Sequence, residues 1–126
     1  MKRVACVLMV AMAVFAGGKR AGDPIQRASA AEAAKTNPYA GRRDAWLAGQ
    51  KLFEANCAAC HRQHGEGRGK ALPLNTPEVR TAPAGSVFRV LKNGSLVRGM
   101  PSFAALPEPE RWQIVTYVQG MAEGRR

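Results

Sequence analysis

Cys57-Ala58-Ala59-Cys60-His61 decides how the rest of this chain is read. Two thiols three residues apart can each add across one of the two vinyl groups of a haem. The histidine that follows at once stands where an axial ligand to the iron is needed. This spacing is that of c-type haem attachment. A covalently held haem would carry the chemistry, leaving the chain to bind and tune it.

Working outward from the motif, the chain of 126 residues is one domain's worth of sequence. Met1-Lys2-Arg3 is a short basic start, Val4 to Ala16 is an unbroken apolar run of 13 residues, and Gly17-Gly18 closes it. The run is shorter than the ~20 residues of a spanning helix and has the two regions of a secretory signal. Cleavage after Ala16 fits the small-residue rule, Ala28-Ser29-Ala30 offers a later site, and an uncleaved run would be a short anchor. Cys6 leaves with residues 1–16, so the exported protein keeps only Cys57 and Cys60. An exported cysteine pair often forms a disulfide, but the adjacent His61 argues for a different use of both thiols. The expected location is the periplasm, with no stable membrane insertion after cleavage.

Residues 17–41 are dominated by Ala, Gly, Pro and Ser and show no apolar period. Such composition buries too little surface to offset its ordering entropy, which predicts a flexible tether. The folded part is then residues 42–124. That is a thin core, to which a buried haem would add apolar surface.

The formal charge is +10, or +8 once Lys2 and Arg3 are removed with the signal. Two haem propionates would lower it to about +6. A basic nucleic-acid binder is the competing reading, but the positive residues are spread out, with no helix-turn-helix and no aromatic stacking pattern. Nucleic acid is therefore not an expected partner.

Arg42 to Asn56 reads as a helix, with Ala45, Gly49, Leu52, Phe53 and Asn56 at helical spacing. Gly49 costs that helix about 1 kcal/mol relative to Ala, and a close crossing of two helix backbones would explain it. After the motif, Gly65, Gly67 and Gly69 make a turning segment, and Leu72 to Pro77 reads as extended, since residues before Pro avoid the helical region. Ser86 can cap a short helix from Val87 to Lys92, which Asn93-Gly94 stops. Leu96 to Phe103 is a loop. Pro107-Glu108-Pro109-Glu110 starts a last helix bearing Trp112, Ile114, Val115, Tyr117 and Val118, which Gly120 or Gly124 can end. No strand-like alternation persists. The expected fold is all-α with long loops.

Electron transfer by haem iron calls for two axial ligands, and beyond His61 few side chains qualify. Met100 lies in a loop between Gly99, which gives room, and Pro101, which stiffens it. Its thioether would favour ferrous iron and raise the reduction potential. Met121 follows the apolar stretch of the last helix and reads as packing. His64 is too near His61 to reach the opposite haem face and reads as a surface or propionate-contacting residue. Cys57, Cys60 and His64 could supply three ligands to zinc, but a fourth is wanting. A thioredoxin-like pair would need a βαβ setting, which the sequence lacks.

Gly49-x-x-Leu52-Phe53-x-x-x-Cys57-x-x-Cys60-His61, then Gly99-Met100-Pro101, then Trp112 with Ile114-x-x-Tyr117, resembles class I cytochromes c over nearly all of residues 42–124. The resemblance implies the cytochrome c fold around one haem c. It implies that Gly49 and Phe53 of the first helix cross Ile114 and Tyr117 of the last. It also implies a proline whose carbonyl accepts a hydrogen bond from the proximal histidine, and Pro73 resembles that position. The implied role is a non-enzymatic electron shuttle, with a peroxidase-like or gas-sensing cytochrome with an open sixth site as the alternative. The context Arg98-Gly99-Met100-Pro101-Ser102-Phe103 is similar to small bacterial cytochromes, including those that accept electrons from periplasmic quinoprotein (PQQ) dehydrogenases. A terminal oxidase or another cytochrome is the implied acceptor.

From Arg62 to Arg98 seven basic residues face Glu66 and Glu78, a net of +5, whereas Gly99 to Gly124 carries a net of −2. A positive face near an exposed haem edge would steer an acidic partner.

Overall fold

Two fourteen-residue helices meeting at small side chains carry this fold. In the computed structural model, which describes residues 23–121, the helices in order are α1 (Ala30–Ala33), α2 (Arg43–Asn56), α3 (Ala58–His61), α4 (Pro77–Thr81), α5 (Ala84–Asn93) and α6 (Glu108–Met121). Short 3-10 turns at Pro24–Arg27 and Leu96–Arg98 complete the set. Among the described residues there is no sheet, only two isolated bridges, Arg68 with Ala71 and Ser95 with Met100.

The expected crossing is present and explains Gly49. A Cβ placed there would overlap the Gln113 carbonyl of α6 and come within 2.9 Å of Tyr117 Cβ. No side chain can be added without separating the helices, so the propensity penalty of glycine is offset by close packing. Phe53 and Ile114 are fully buried beside the contact, and the Phe53 and Tyr117 rings lie 5.2 Å apart. Trp46 meets Tyr117 edge-on at 5.0 Å. Gly120 does not end α6. It lies inside the helix, where a Cβ would come within 2.7 Å of Trp46 Nε1.

α5 packs on α6 through Phe88, stacked on Trp112 at 4.0 Å. It begins at Ala84, not at Val87, because the Pro83 carbonyl accepts the Ser86 and Val87 N–H groups and buries Ser86 as part of the helix. α4 lies in a segment whose prolines predicted only extended chain up to Pro77. Thr76 caps it, its hydroxyl accepting the Val79 N–H, and Pro77 sits in the first turn, where a missing N–H costs nothing. Gln119 of α6 donates to the Val79 and Ala82 carbonyls and holds α4 in place.

Residues 23–41 depart from the tether expected over 17–41. Ser29 and Glu32 form a reciprocal capping box on α1. The Glu32 carboxylate lies 3.2 Å from Arg89 of α5, and Gly85 of α5 makes room for the Glu32 backbone carbonyl. Further on, Asn37 donates to the Thr116 hydroxyl of α6 at 2.9 Å. The segment has no core of its own but uses the surface of α5 and α6, which local composition cannot reveal. The signal read in residues 1–16 and the stretch to residue 22 lie outside the described residues.

Candidate functional site

α2 runs almost directly into the motif. Cys57 ends α2 by donating its N–H to the Phe53 carbonyl at 2.8 Å, and its own carbonyl accepts the His61 N–H at 2.9 Å. Ala58–His61 thus form one further helical turn, α3, with Cys57 at its start, rooted in the α2–α6 pair. Cys57 is buried and belongs to the core cluster, whereas Cys60 is exposed. Burial, with the nearby Cys60 as the lesser cause, pushes the Cys57 thiol up to about 12. Both cysteines are free, so the pair is not a disulfide.

His61 is oriented from outside the turn. Its Nδ1 lies 2.9 Å from the carbonyl oxygen of Leu72. A carbonyl only accepts, so Nδ1 carries the proton and Nε2 keeps its lone pair for a metal. This corrects the residue assigned to that bond: the acceptor is the Leu72 carbonyl, not that of Pro73. Pro73 acts one step removed, since the residue before a proline is confined to extended conformations. Gly67 lets the loop close here, for a Cβ would come within 2.5 Å of the Ala71 carbonyl and 2.8 Å of Pro73 N.

Directly after His61 the chain turns at Arg62, the one non-glycine residue with positive φ among those described (φ 64°, ψ 167°). That region is occupied almost only by glycine. His64 is exposed, and its backbone N–H donates to Glu66. Among the described residues no group of three or more His, Cys, Asp or Glu is placed to hold a metal ion.

Met100 is half-buried and packs against the same core cluster that contains Cys57. Its backbone is clamped by two bonds, Ser95 N–H to Met100 O and Met100 N–H to Ser95 O, both 2.9 Å. Gly94 lies beneath, where a Cβ would come within 2.6 Å of the Met100 carbonyl. Ser102 and Phe103 tie the far side of the loop to the Lys92 and Leu91 carbonyls. Met121 packs at the end of α6, where a Cβ on Gly65 would meet its sulfur at 2.6 Å.

The donor set fits a covalently bound haem. Two thiols lie one helical turn apart, the neighbouring imidazole has an uncommitted Nε2, and a thioether is held on a separate braced loop against the same core. The sequence could not supply the Leu72 acceptor or the Ser95–Met100 clamp, which depend on how the loops close.

Three likenesses to known proteins bear on this arrangement. The family model described as cytochrome c oxidase, cbb3-type, subunit III matches residues 44–118, more than half of the chain. Cytochrome c6 of Cyanidium caldarium is 30% identical over 81 residues, which are 60% of this chain and 70% of that protein. In fold, the chain resembles the crystal structure of cytochrome cL from the marine methylotrophic bacterium Methylophaga aminisulfidivorans, with a TM-score of 0.57 and 23% identity. That likeness covers 68% of this chain and 63% of the solved one.

Proposed function

The chain belongs to the c-type cytochrome family described as cytochrome c oxidase, cbb3-type, subunit III, and from that premise we propose a periplasmic shuttle with His61 and Met100 on the iron of one haem c. The family is one of electron carriers rather than enzymes. Cys57 and Cys60 would hold the haem covalently. When bound, it supplies a one-electron iron couple tuned by its axial ligands.

The observation that carries the reading is the His61 Nδ1 bond to the Leu72 carbonyl. It fixes the tautomer, directs Nε2 away from the loop and raises its basicity. Pro73 and Gly67 hold the acceptor in place. The Ser95 bridge restrains Met100 at its backbone, so less movement of the thioether would be asked for in a redox cycle. Little reorganisation is asked of a core built on Phe53, Ile114 and Val115.

The periplasmic location rests on the signal read in residues 1–16. Among the described residues, no helix is long and apolar enough to cross a membrane. The partners we assign have acidic docking faces, a periplasmic dehydrogenase as donor and a terminal oxidase or another cytochrome as acceptor. The basic stretch from Arg62 to Arg98 supports this.

Spectroscopy of the protein matured in a periplasm tests the assignment. Haem should remain attached under denaturing conditions, and the oxidised form should show the weak far-red band of methionine ligation. Met100→Ala should abolish that band and lower the midpoint potential. A colourless product would overturn the haem reading. An unchanged band and potential in the variant would remove Met100.

A further inference from the structure

Arg111, at the start of α6, is the only charged side chain buried among the described residues, at 8% exposure. Burying a guanidinium is costly, and the usual compensation is a carboxylate. Among the described residues none lies within ion-pair distance of it, and its Nη1 is buried without a hydrogen-bond partner. An apolar side chain of similar length would fill this place without that cost. The contacts that the guanidinium does make are therefore informative.

Those contacts lead to the segment that carries Met100. Nε donates to the Leu106 carbonyl at 3.1 Å, and the guanidinium carbon lies 4.8 Å from the centre of the Phe88 ring of α5. Leu106 stands near the end of the stretch from α5 to α6 on which Met100 hangs. Its own N–H donates to the Phe103 carbonyl, and the Phe103 N–H donates in turn to the Leu91 carbonyl of α5. Phe88 stacks on Trp112, the neighbour of Arg111 in α6. One side chain thus joins the exit of the Met100 loop to both helices that flank it.

We propose that Arg111 is a positioning residue for the sixth ligand: by fixing the exit of the loop it keeps Met100 on the iron and holds back replacement by outside ligands. This rests on the reading of Met100 as an iron ligand. A loop that opens more often exposes the iron more often, and the apparent affinity for an outside ligand rises with the open fraction. A bond from a charged donor is of the stronger kind. Its loss should raise the open fraction about tenfold. The Phe88 contact contributes by holding the guanidinium against α5, as a cation over an aromatic face is attracted to it.

Imidazole titration of the matured, oxidised holoprotein at neutral pH, followed by the far-red band, tests this. Arg111→Leu keeps the apolar bulk and removes the charge and the donor. It should lose the band at an imidazole concentration about tenfold lower than the wild type. Arg111→Lys, which keeps a charged donor, should fall between the two. Gly49→Ala, which loosens the helix crossing instead, should titrate like the wild type. Amide hydrogen exchange reads the loop without reference to the iron: Met100, Phe103 and Leu106 should exchange faster in Arg111→Leu, whereas Ile114 and Val115 should not. The proposal is overturned if Arg111→Leu titrates like the wild type, if Gly49→Ala matches it, or if Arg111→Lys is as open as Arg111→Leu. It is equally overturned if all these amides exchange faster together, which would make Arg111 a general stabiliser of the fold. A wild type with no far-red band before imidazole is added would overturn Met100 ligation itself. That is a separate result, after which the exchange comparison still decides whether Arg111 holds the loop.

Discussion

The two segments that hold the proposed axial ligands are built by opposite means. His61 ends a turn continuous with α2, and α2 meets α6 so closely that Gly49 has no room for a Cβ. Met100 hangs on residues 94–103, which are held by backbone and Ser102 hydrogen bonds while Leu96 and Val97 face solvent. One ligand is fixed by packing, the other by a few bonds in an open loop. Stability is not uniform across such a molecule. Damage to the first region should unfold the domain, whereas damage to the second should release one ligand from an intact fold.

The sharpest way to break this contrast is Gly49→Ala. The new Cβ meets a backbone carbonyl, which cannot rotate aside as a side chain could. We expect a loss of about 3 kcal/mol of global stability, at the upper end for overpacking, read as a lower urea midpoint. An unchanged midpoint would show that the crossing does not govern the fold. Gly94→Ala probes the other region, at φ +67° beneath the Met100 carbonyl. Its global cost should be about 1–3 kcal/mol, since φ +67° with ψ −167° is a region almost reserved to glycine, yet the far-red band of methionine ligation should weaken or vanish. If the midpoint falls as far as that of Gly49→Ala, the loop is not an independent unit.

The same contrast separates what was legible in the sequence from what was not. The Cys57–His61 turn, α2 and α6 follow from local spacing and helical period, which one sequence displays, whereas the partner that Gly49 meets came from the resemblance to class I cytochromes c. The acceptor for His61 does not. Pro73 marks the right bend, but only the closed loop shows that the carbonyl one residue earlier makes the bond. Residues 23–41 were opaque for a different reason, since their packing surface is provided by α5 and α6, far along the chain. Two local signals there and in α4 were nevertheless readable: the Ser29-x-x-Glu32 capping box and Thr76-Pro77-Glu78 as a helix start. The clamp on Met100 left no pattern, because Ser95 is distinguished only by its place opposite Met100.

Arg62 sharpens the comparison from the packed side. It holds a backbone conformation that glycine tolerates and arginine does not, at a cost of about 1–3 kcal/mol. Arg62→Gly should relieve that strain while losing some of the gain to greater freedom in the unfolded chain. The expected net is a stabilisation of about 1 kcal/mol, seen as a raised urea midpoint with the haem spectrum unchanged. A lowered midpoint would mean that the Arg62 side chain contributes more than its backbone costs.

The smallest effect concerns the segment whose packing is the most marginal, α1 on α5. The Glu32 carboxyl is held below its usual range, first by the Ser29 backbone N–H, then by the Ser29 hydroxyl, with Arg89 adding to it. A carboxylate depressed in the folded state contributes stability that is fully present above its unfolded pKa, ~4.3, and lost as pH falls through the lower folded value. The docking of α1 should therefore be constant at neutral pH and weaken only in acid. Amide chemical shifts of Ala33 and Ala34 should move below pH ~4, while those of Ile114 and Val115 in α6 stay put. Glu32→Gln should flatten that response, since the amide cannot titrate. Wild-type shifts that hold steady through the same range would assign the docking to Gly85 and the backbone contacts alone, and α1 would then join the regions fixed by packing.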